Sequence, residues 1–272
     1  MMKFYKYHGA GNDFLLYDAR KDGASFPTEQ ITHLCDRHLG IGSDGLMILS
    51  EAEGYDFRME FFNPDGSGGM MCGNGGRCIV AFARDKGIAP AADGSYRFLA
   101  PDGPHTACLL SDDGPVKTIR LGMKPVTVYH PEGDGWFVDT GTRHFVTFVP
   151  SVADVDVDHL GREIRHREEF GPVGVNVNFV EIIAPGEIAV RTFEKGVEGE
   201  TLACGTGITA SAIAAWLASP WPQDGTKDIL CQVHARRHDL TVSFTPSGNA
   251  FTGVTLTGPA ERVAEILTGS EF

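Results

Sequence analysis

Met71-Cys72-Gly73-Asn74-Gly75-Gly76, running on into Arg77-Cys78-Ile79-Val80-Ala81-Phe82-Ala83, has a counterpart in Ala203-Cys204-Gly205-Thr206-Gly207, running on into Ile208-Thr209-Ala210-Ser211-Ala212-Ile213-Ala214-Ala215-Trp216. In both stretches a cysteine opens a turn of small residues that leads into a helical pattern. The two cysteines are separated by 132 positions, 204 minus 72. A cysteine at a helix N-terminus lies among unpaired backbone N–H groups at the positive end of the helix dipole, which favours a thiolate. Two such thiols in matching halves point to acid–base work on one carbon from opposite faces. Inversion of a stereocentre requires that arrangement.

The correspondence extends outward from the cysteines. Gly11-Asn12-Asp13-Phe14-Leu15 is echoed by Gly141-Thr142-Arg143-His144-Phe145, and Gly42-Ser43-Asp44-Gly45 by Gly174-Val175-Asn176-Val177. Phe62-Asn63 precedes the first cysteine much as Phe193-Glu194 precedes the second. Blocks repeated in the same order at nearly constant offset indicate a duplicated unit.

The 272-residue length suits two domains of ordinary size, and 42% hydrophobic with 22% charged residues is the composition of a soluble globular chain. A net charge of −13 argues against nucleic-acid binding. The first residues lack the apolar stretch of a signal peptide, and no segment reaches membrane-spanning length without charges. The six cysteines are scattered and form no Cys-x-x-Cys pair, so a reduced, cytoplasmic protein without a metal site is expected. Cys35, Cys78, Cys108 and Cys231 read as buried packing residues.

Short apolar runs dominate the chain. Phe14–Tyr17, Leu46–Leu49 and Tyr55–Phe62 are predicted strands, and Thr28–His38 a helix capped by its threonine. Turn residues predict hairpins around 111–115, 131–135 and Pro185-Gly186. His159–Phe170 is a predicted helix, and Ile229–Thr257 a run of strands. Arg77–Lys86 ends at Gly87, a natural helix stop. Ile208–Ala218 is apolar on every face, so other structure must wrap it. The expected fold is α/β (α+β): two pseudo-symmetric domains, each a curved, mostly antiparallel sheet around one central helix, with the boundary near Met123.

The chemistry follows from the two helix starts. Removing an α-proton from an amino acid without a cofactor leaves a carbanion with no electron sink. Converging N–H donors around the α-carboxylate ease that difficulty, and helix N-termini supply them at Gly73, Asn74, Gly205 and Thr206. The glycines allow close backbone approach. One of Cys72 and Cys204 takes the proton as thiolate; the other returns one as thiol. A phosphate-loop reading of Gly73–Gly76 fails for want of a Gly-Lys-Ser/Thr ending.

These residues carry a resemblance. Gly9-Ala10-Gly11-Asn12-Asp13-Phe14, Phe62-Asn63-Pro64-Asp65-Gly66, Cys72–Cys78 and Gly199-Glu200-Thr201-Leu202-Ala203-Cys204-Gly205-Thr206-Gly207 resemble the diaminopimelate epimerases, in family order across essentially the whole chain. That family is independent of pyridoxal phosphate and uses two cysteines. The resemblance implies interconversion of LL- and meso-diaminopimelate, on the route to lysine and peptidoglycan, with no cofactor. It implies two domains, 1–122 joined by a returning 258–272, and 123–257, with the site in the cleft between them, and a homodimer. It assigns Cys72 and Cys204 as the acid–base pair and Asn12, Asn63, Asn176 and Glu194 to the substrate pocket, with His144 near the thiols.

Three positions depart from the commoner family pattern. Thr142 stands where an asparagine is usual, Lys195 where an arginine is usual, and Gly45 where many members have glutamine. Lysine keeps the charge but loses the bidentate fork. The expectation is that Arg143 supplies the missing guanidinium to the distal carboxylate. The departures leave one other reading open, a related two-cysteine racemase for another amino acid; a non-catalytic binder of a small molecule on the same fold is disfavoured by the presence of both cysteines.

Overall fold

The computed structural model describes residues 2–69, 71–221 and 227–269. The chain divides into two compact units, 1–121 together with the stretch from Gly258 onward, and Gly122–Thr257. Residues 270–272 of the expected returning segment lie outside the described residues.

The first unit contains β1 (Lys3–Gly9), β2 (Asn12–Asp18), α1 (Thr28–Cys35), β3 (Leu46–Ser50), β4 (Phe57–Phe62), α2 (Gly73–Asp85), β5 (Ser95–Ala100), β6 (Gly103–Asp113) and β7 (Val116–Gly122). The second contains β8 (Val128–Glu132), β9 (Gly135–Asp139), β10 (Arg143–Phe148), α3 (Val157–Arg165), β11 (Asn176–Ala184), β12 (Glu187–Glu194), β13 (Gly199–Thr201), α4 (Gly205–Ala218), β14 (Ile229–His234) and β15 (Asp239–Ser247). The long β16 (Ala250–Leu267) serves the second unit with its beginning and the first with its end.

In the first unit the strands pair in sequence from β1 to β7, and β16 closes the ring by pairing with both β7 and β1. Two neighbours are parallel, β2 with β3 and β4 with β5, and helices α1 and α2 make those two crossovers. The second unit has the same plan. Its parallel neighbours are β10 with β11 and β12 with β14, crossed over by α3 and α4. Its ring is drawn together by the Val126–Phe251 bridge. The duplication read from the cysteine turns is therefore a duplication of topology.

A ring of strands around a helix buries that helix on every side, and the sequences of α2 and α4 meet the demand. From Gly73 to Ala83 every residue of α2 is buried, and Tyr5 and Tyr7 of β1 set their rings 5.2 and 5.7 Å from Phe82. In α4 Gly205 and residues 207–215 are buried. Its hydroxyls bond back to the preceding turn, Thr209 Oγ1 to Gly205 O at 3.0 Å and Ser211 Oγ to Gly207 O at 2.7 Å, so no polar penalty accompanies their burial. Each fully buried aliphatic or aromatic side chain contributes about 1.5–3 kcal/mol. The opposite faces of the sheets carry α1 and α3. Ile31 and Leu34 of α1 pack with Phe4, Leu15, Tyr17 and Ile48, while Val157 and Ile164 of α3 pack with Phe145, Val177 and Phe179.

Two helices differ from the sequence expectation. Helix α1 is capped by the backbone of Pro27, not by the Thr28 side chain, and stops at Cys35 rather than His38. There the Asp36 carboxylate accepts from His38 N and Leu39 N, both at 2.7 Å, and this local turn competes with a further helical turn. Helix α3 starts earlier than predicted, where Asp156 accepts from His159 N at 3.2 Å. It also ends at Arg165, with only a 3-10 turn at Glu168–Phe170 beyond. Hairpin strands run further into the expected turns, β6 to Asp113 and β8 to Glu132.

Candidate functional site

In the first unit Cys72 is the N-cap of α2, with an extended backbone, and its sulfur accepts from Gly75 N at 3.1 Å. A Cβ on Gly75 would come within 3.1 Å of that sulfur and 3.3 Å of Met47 Sδ, so a side chain there would crowd the thiol's seat. A cation lies one turn further on. Arg77 is wholly buried, and its Nη1 donates to Gly73 O at 3.1 Å, its Nη2 to Asn74 Oδ1 at 2.9 Å and its Nε to Pro259 O at 3.3 Å. Burial pushes the guanidinium down to about 10, which leaves it charged at neutral pH and in electrostatic contact with Cys72. A positive charge so placed favours a thiolate there.

Asn12 joins this group through Asn74. The two-residue turn Ala10-Gly11, with φ of 56° and 92°, returns the chain tightly and sets Asn12 at the head of β2, opposite Gly9. Asn74 Nδ2 donates to Asn12 Oδ1 at 3.3 Å, and Asn12 Nδ2 donates to Asp44 Oδ2 at 2.7 Å. Asp44 is held in turn by Arg37 at 2.7 Å, and Arg37 by Asp13 at 2.7 Å. Both ends of the Asn12 amide are thus oriented. Asn63 belongs to a separate loop, where its Nδ2 donates to Ser67 Oγ at 3.0 Å and its backbone N to Ser67 O at 2.9 Å.

In the second unit Cys204 is the N-cap of α4 and is buried at 7% exposure. Its sulfur lies 3.4 Å from Thr206 Oγ1. That hydroxyl meets a second hydroxyl and a ring nitrogen: Thr142 Oγ1 donates to it at 3.2 Å, and His144 Nε2 stands 3.1 Å from it and 2.9 Å from Thr142 Oγ1. Thr140 Oγ1 adds a bond to Thr206 O at 3.1 Å. His144 is fully buried, and burial together with the nearby Lys195 charge pushes its imidazole down to about 3. At neutral pH it is an uncharged donor–acceptor, not an imidazolium.

Asn176, opposite His144 in the parallel register of β10 and β11, ties two further positions together. Its Oδ1 accepts from Lys195 N at 2.8 Å, and its Nδ2 donates to Arg143 O at 3.3 Å. Glu194, the last residue of β12, stands beside Lys195. Arg143 does not join the group. Neighbours in a strand face opposite ways, and the Arg143 guanidinium lies 5.4 Å over the Phe137 ring, on the α3 face of the sheet.

Residues that the sequence reading did not assign to the site complete both clusters: Arg77 and Asp44 in the first unit, Asn178, Thr192 and Thr140 in the second. Arg77 was visible as a charge inside an apolar helix, and Asn178 as a second asparagine on one face of an apolar strand. Among the remaining thiols, burial pushes Cys35 and Cys78 up and Cys231 up to about 12, so these stay protonated.

The family model described as diaminopimelate epimerase matches residues 4–126 and 136–263. Diaminopimelate epimerase of Flavobacterium psychrophilum is 41% identical over 97% of this chain and 99% of its own. That of Chlorobaculum tepidum is 44% identical over 75% and 80%, and that of Aquifex aeolicus 42% over 79% and 82%. Among solved structures, a phenazine biosynthesis protein of the PhzF family from Bacillus anthracis superposes with a TM-score of 0.73 at 15% identity, covering 98% of this chain and 99% of its own. A hydroxyproline epimerase from Agrobacterium vitis gives 0.67 at 15% identity, covering 97% and 90%. At that identity the likeness is one of fold.

Proposed function

Since the chain belongs to the diaminopimelate epimerase family, we propose that it is an isomerase interconverting LL- and meso-diaminopimelate by a two-base mechanism, with Cys72 and Cys204 as the two bases. The observation that carries this reading is the equivalence of the two cysteines. Each is the N-cap of the buried helix of its own unit, and each helix begins with a glycine.

The thiolate of one cysteine takes the α-proton and becomes a thiol, leaving the electron pair on the α-carbon. The thiol of the other cysteine delivers its proton to the opposite face and becomes a thiolate. No net proton is gained or lost, and the two cysteines end the turnover with their protonation states exchanged. The carbanion's charge spreads into the α-carboxylate, for which the N–H groups of Gly73, Asn74, Gly205 and Thr206 are the proposed donors. No other chemical group enters this scheme.

The far end of the substrate carries an ammonium and a carboxylate at neutral pH. Asn12, Asn63, Asn176, Glu194 and Thr142 are the proposed polar partners, with Glu194 suited to the ammonium. Lys195 is the proposed cation for the distal carboxylate. Geometry supports this, since the Lys195 backbone N is held by Asn176 Oδ1 at 2.8 Å, next to Glu194 at the end of β12. Homodimerisation, cytoplasmic residence and a place in lysine and peptidoglycan precursor synthesis belong to the same proposal. Among the described residues no helix is long and apolar enough to cross a membrane.

The test is incubation of the purified protein with LL-diaminopimelate in reducing buffer without added cofactor, followed by chiral chromatography. Appearance of the meso isomer supports the proposal. Inertness toward diaminopimelate with inversion of another free amino acid favours the second reading, a racemase of different specificity, for which Thr142, Lys195 and Gly45 are the motivating departures.

A further inference from the structure

The hydrogen bonds around His144 have a direction, and Asn178 sets it. Asn178 lies in the middle of β11 and is fully buried. Its Nδ2 stands 3.2 Å from Phe145 O and 3.1 Å from His144 Nδ1, while its Oδ1 accepts from Thr192 Oγ1 at 3.0 Å. The reverse amide orientation would set Oδ1 against the Phe145 carbonyl, acceptor against acceptor. The amide N–H groups therefore face Phe145 O and His144 Nδ1, and Nδ1 is an acceptor without a proton. The neutral ring then carries its proton on Nε2.

From Nε2 the donors run one way. His144 Nε2–H donates to the Thr142 hydroxyl at 2.9 Å, and Thr142 Oγ1 donates to Thr206 Oγ1 at 3.2 Å. The Thr206 proton is left for Cys204 Sγ at 3.4 Å. A second observation is independent of these bonds. A Cβ on Gly207, in the first turn of α4, would stand 2.3 Å from Asn178 Oδ1 and 3.3 Å from His144 Cε1. Gly207 is not among the positive-φ glycines, so its backbone does not demand glycine. The close approach of Asn178 and His144 to the helix that begins at Cys204 does.

We propose that Asn178 is a positioning residue for the reaction: it holds His144 as the Nε2–H tautomer, so that the hydrogen-bond chain through Thr142 and Thr206 ends as a donor on the sulfur of Cys204. The proposal rests on the reading of Cys204 as one of the two bases. Donation onto the sulfur stabilises its thiolate form, whereas the opposite tautomer leaves Nε2 as an acceptor and turns the chain around. Thr142 becomes part of the thiol's surroundings as well as a neighbour of the substrate.

Long-range proton–nitrogen NMR of protein labelled with ¹⁵N-histidine reads the tautomer directly, with the His144 signals identified by their loss in His144→Gln. The unmodified protein is expected to show Nδ1 unprotonated and Nε2 protonated throughout the neutral range. An Nδ1–H tautomer or an imidazolium there would overturn the proposal. In Asn178→Asp the new carboxylate can only accept, so Nδ1 is expected to gain a proton and kcat to fall about tenfold or more, with KM within about twofold. A switched tautomer with unchanged kcat, or an unswitched tautomer, would also overturn it. The NMR arm needs no turnover, so its failure concerns Asn178 alone; failure of the epimerase reading shows as absent turnover in the unmodified protein.

Discussion

A Cβ on Gly45 would stand 2.5 Å from Cε2 of Phe61 and 2.7 Å from Phe62 O. The Phe61 ring is wedged, since a Cβ on Gly69 would stand 2.1 Å from its Cδ1, and its edge meets Phe14 with centroids 5.9 Å apart. In this chain, residue 45 is glycine because the ring fills its place. A glutamine at this position has no room here.

Gly45→Ala is therefore expected to destabilise the first unit by about 1–3 kcal/mol, the usual range for overpacking. Thermal denaturation would show a midpoint lowered by several degrees. Gly45→Gln is expected to be worse, and adding Phe61→Ala to recover only part of the loss, because the Phe62 carbonyl remains in the way. An unshifted midpoint in Gly45→Ala would remove this explanation of the departure.

Recognition of the distal carboxylate separates Lys195 from Arg143. A charge-assisted hydrogen bond contributes about 1.5–3 kcal/mol, so Lys195→Met is expected to raise KM for diaminopimelate about 10- to 100-fold. Arg143→Ala, which removes a guanidinium stacked on Phe137, is expected to leave KM within about twofold. Steady-state kinetics on both variants distinguish the two, and the reverse ranking would restore Arg143 as the substrate's cation.

His234 makes a pH-dependent clasp in the second unit, with Nδ1 2.8 Å from Asp239 Oδ1 and Nε2 2.9 Å from Glu187 Oε1. Hydrogen bonds to Glu187 and Asp239 hold its folded-state pKa above the ordinary value of 6.5. A raised folded-state pKa means that the stabilisation is fully present below the unfolded value and is lost as pH rises through the folded one. The stability gap between the unmodified protein and His234→Gln is therefore expected to be widest below the ordinary value of 6.5 and to close as pH rises through the raised folded-state value. Urea midpoints measured across that range test it; a gap that widens with pH would contradict the sign.

Both cysteine turns were legible in the sequence because a helix start leaves a local signature: a cap residue, glycines, then an apolar helical run. The wrapping of α4 was legible too, because a helix without a polar face has no other stable setting. The end of α1 was not, since the competing Asp36 turn uses a residue type that also tolerates a helix. The role of Asn178 was hidden for another reason. An asparagine within an apolar strand acquires its role from His144, Thr192 and Gly207, which lie far along the chain and meet only in the folded unit. The setting of Arg143 over Phe137 was not legible either, because sequence proximity to His144 concealed the alternation of a strand, which sends neighbours to opposite faces.

The two-base mechanism is tested most directly by hydrogen exchange at early turnover. LL-diaminopimelate would be converted in D₂O, and the deuterium in product and in recovered substrate measured by mass spectrometry before equilibrium is approached. Two separate bases predict meso product carrying one deuterium at the inverted carbon and recovered LL substrate still almost free of it. Deuterium entering the recovered substrate as fast as product forms would show a single base serving both faces, and would contradict the assignment of Cys72 and Cys204 as a pair.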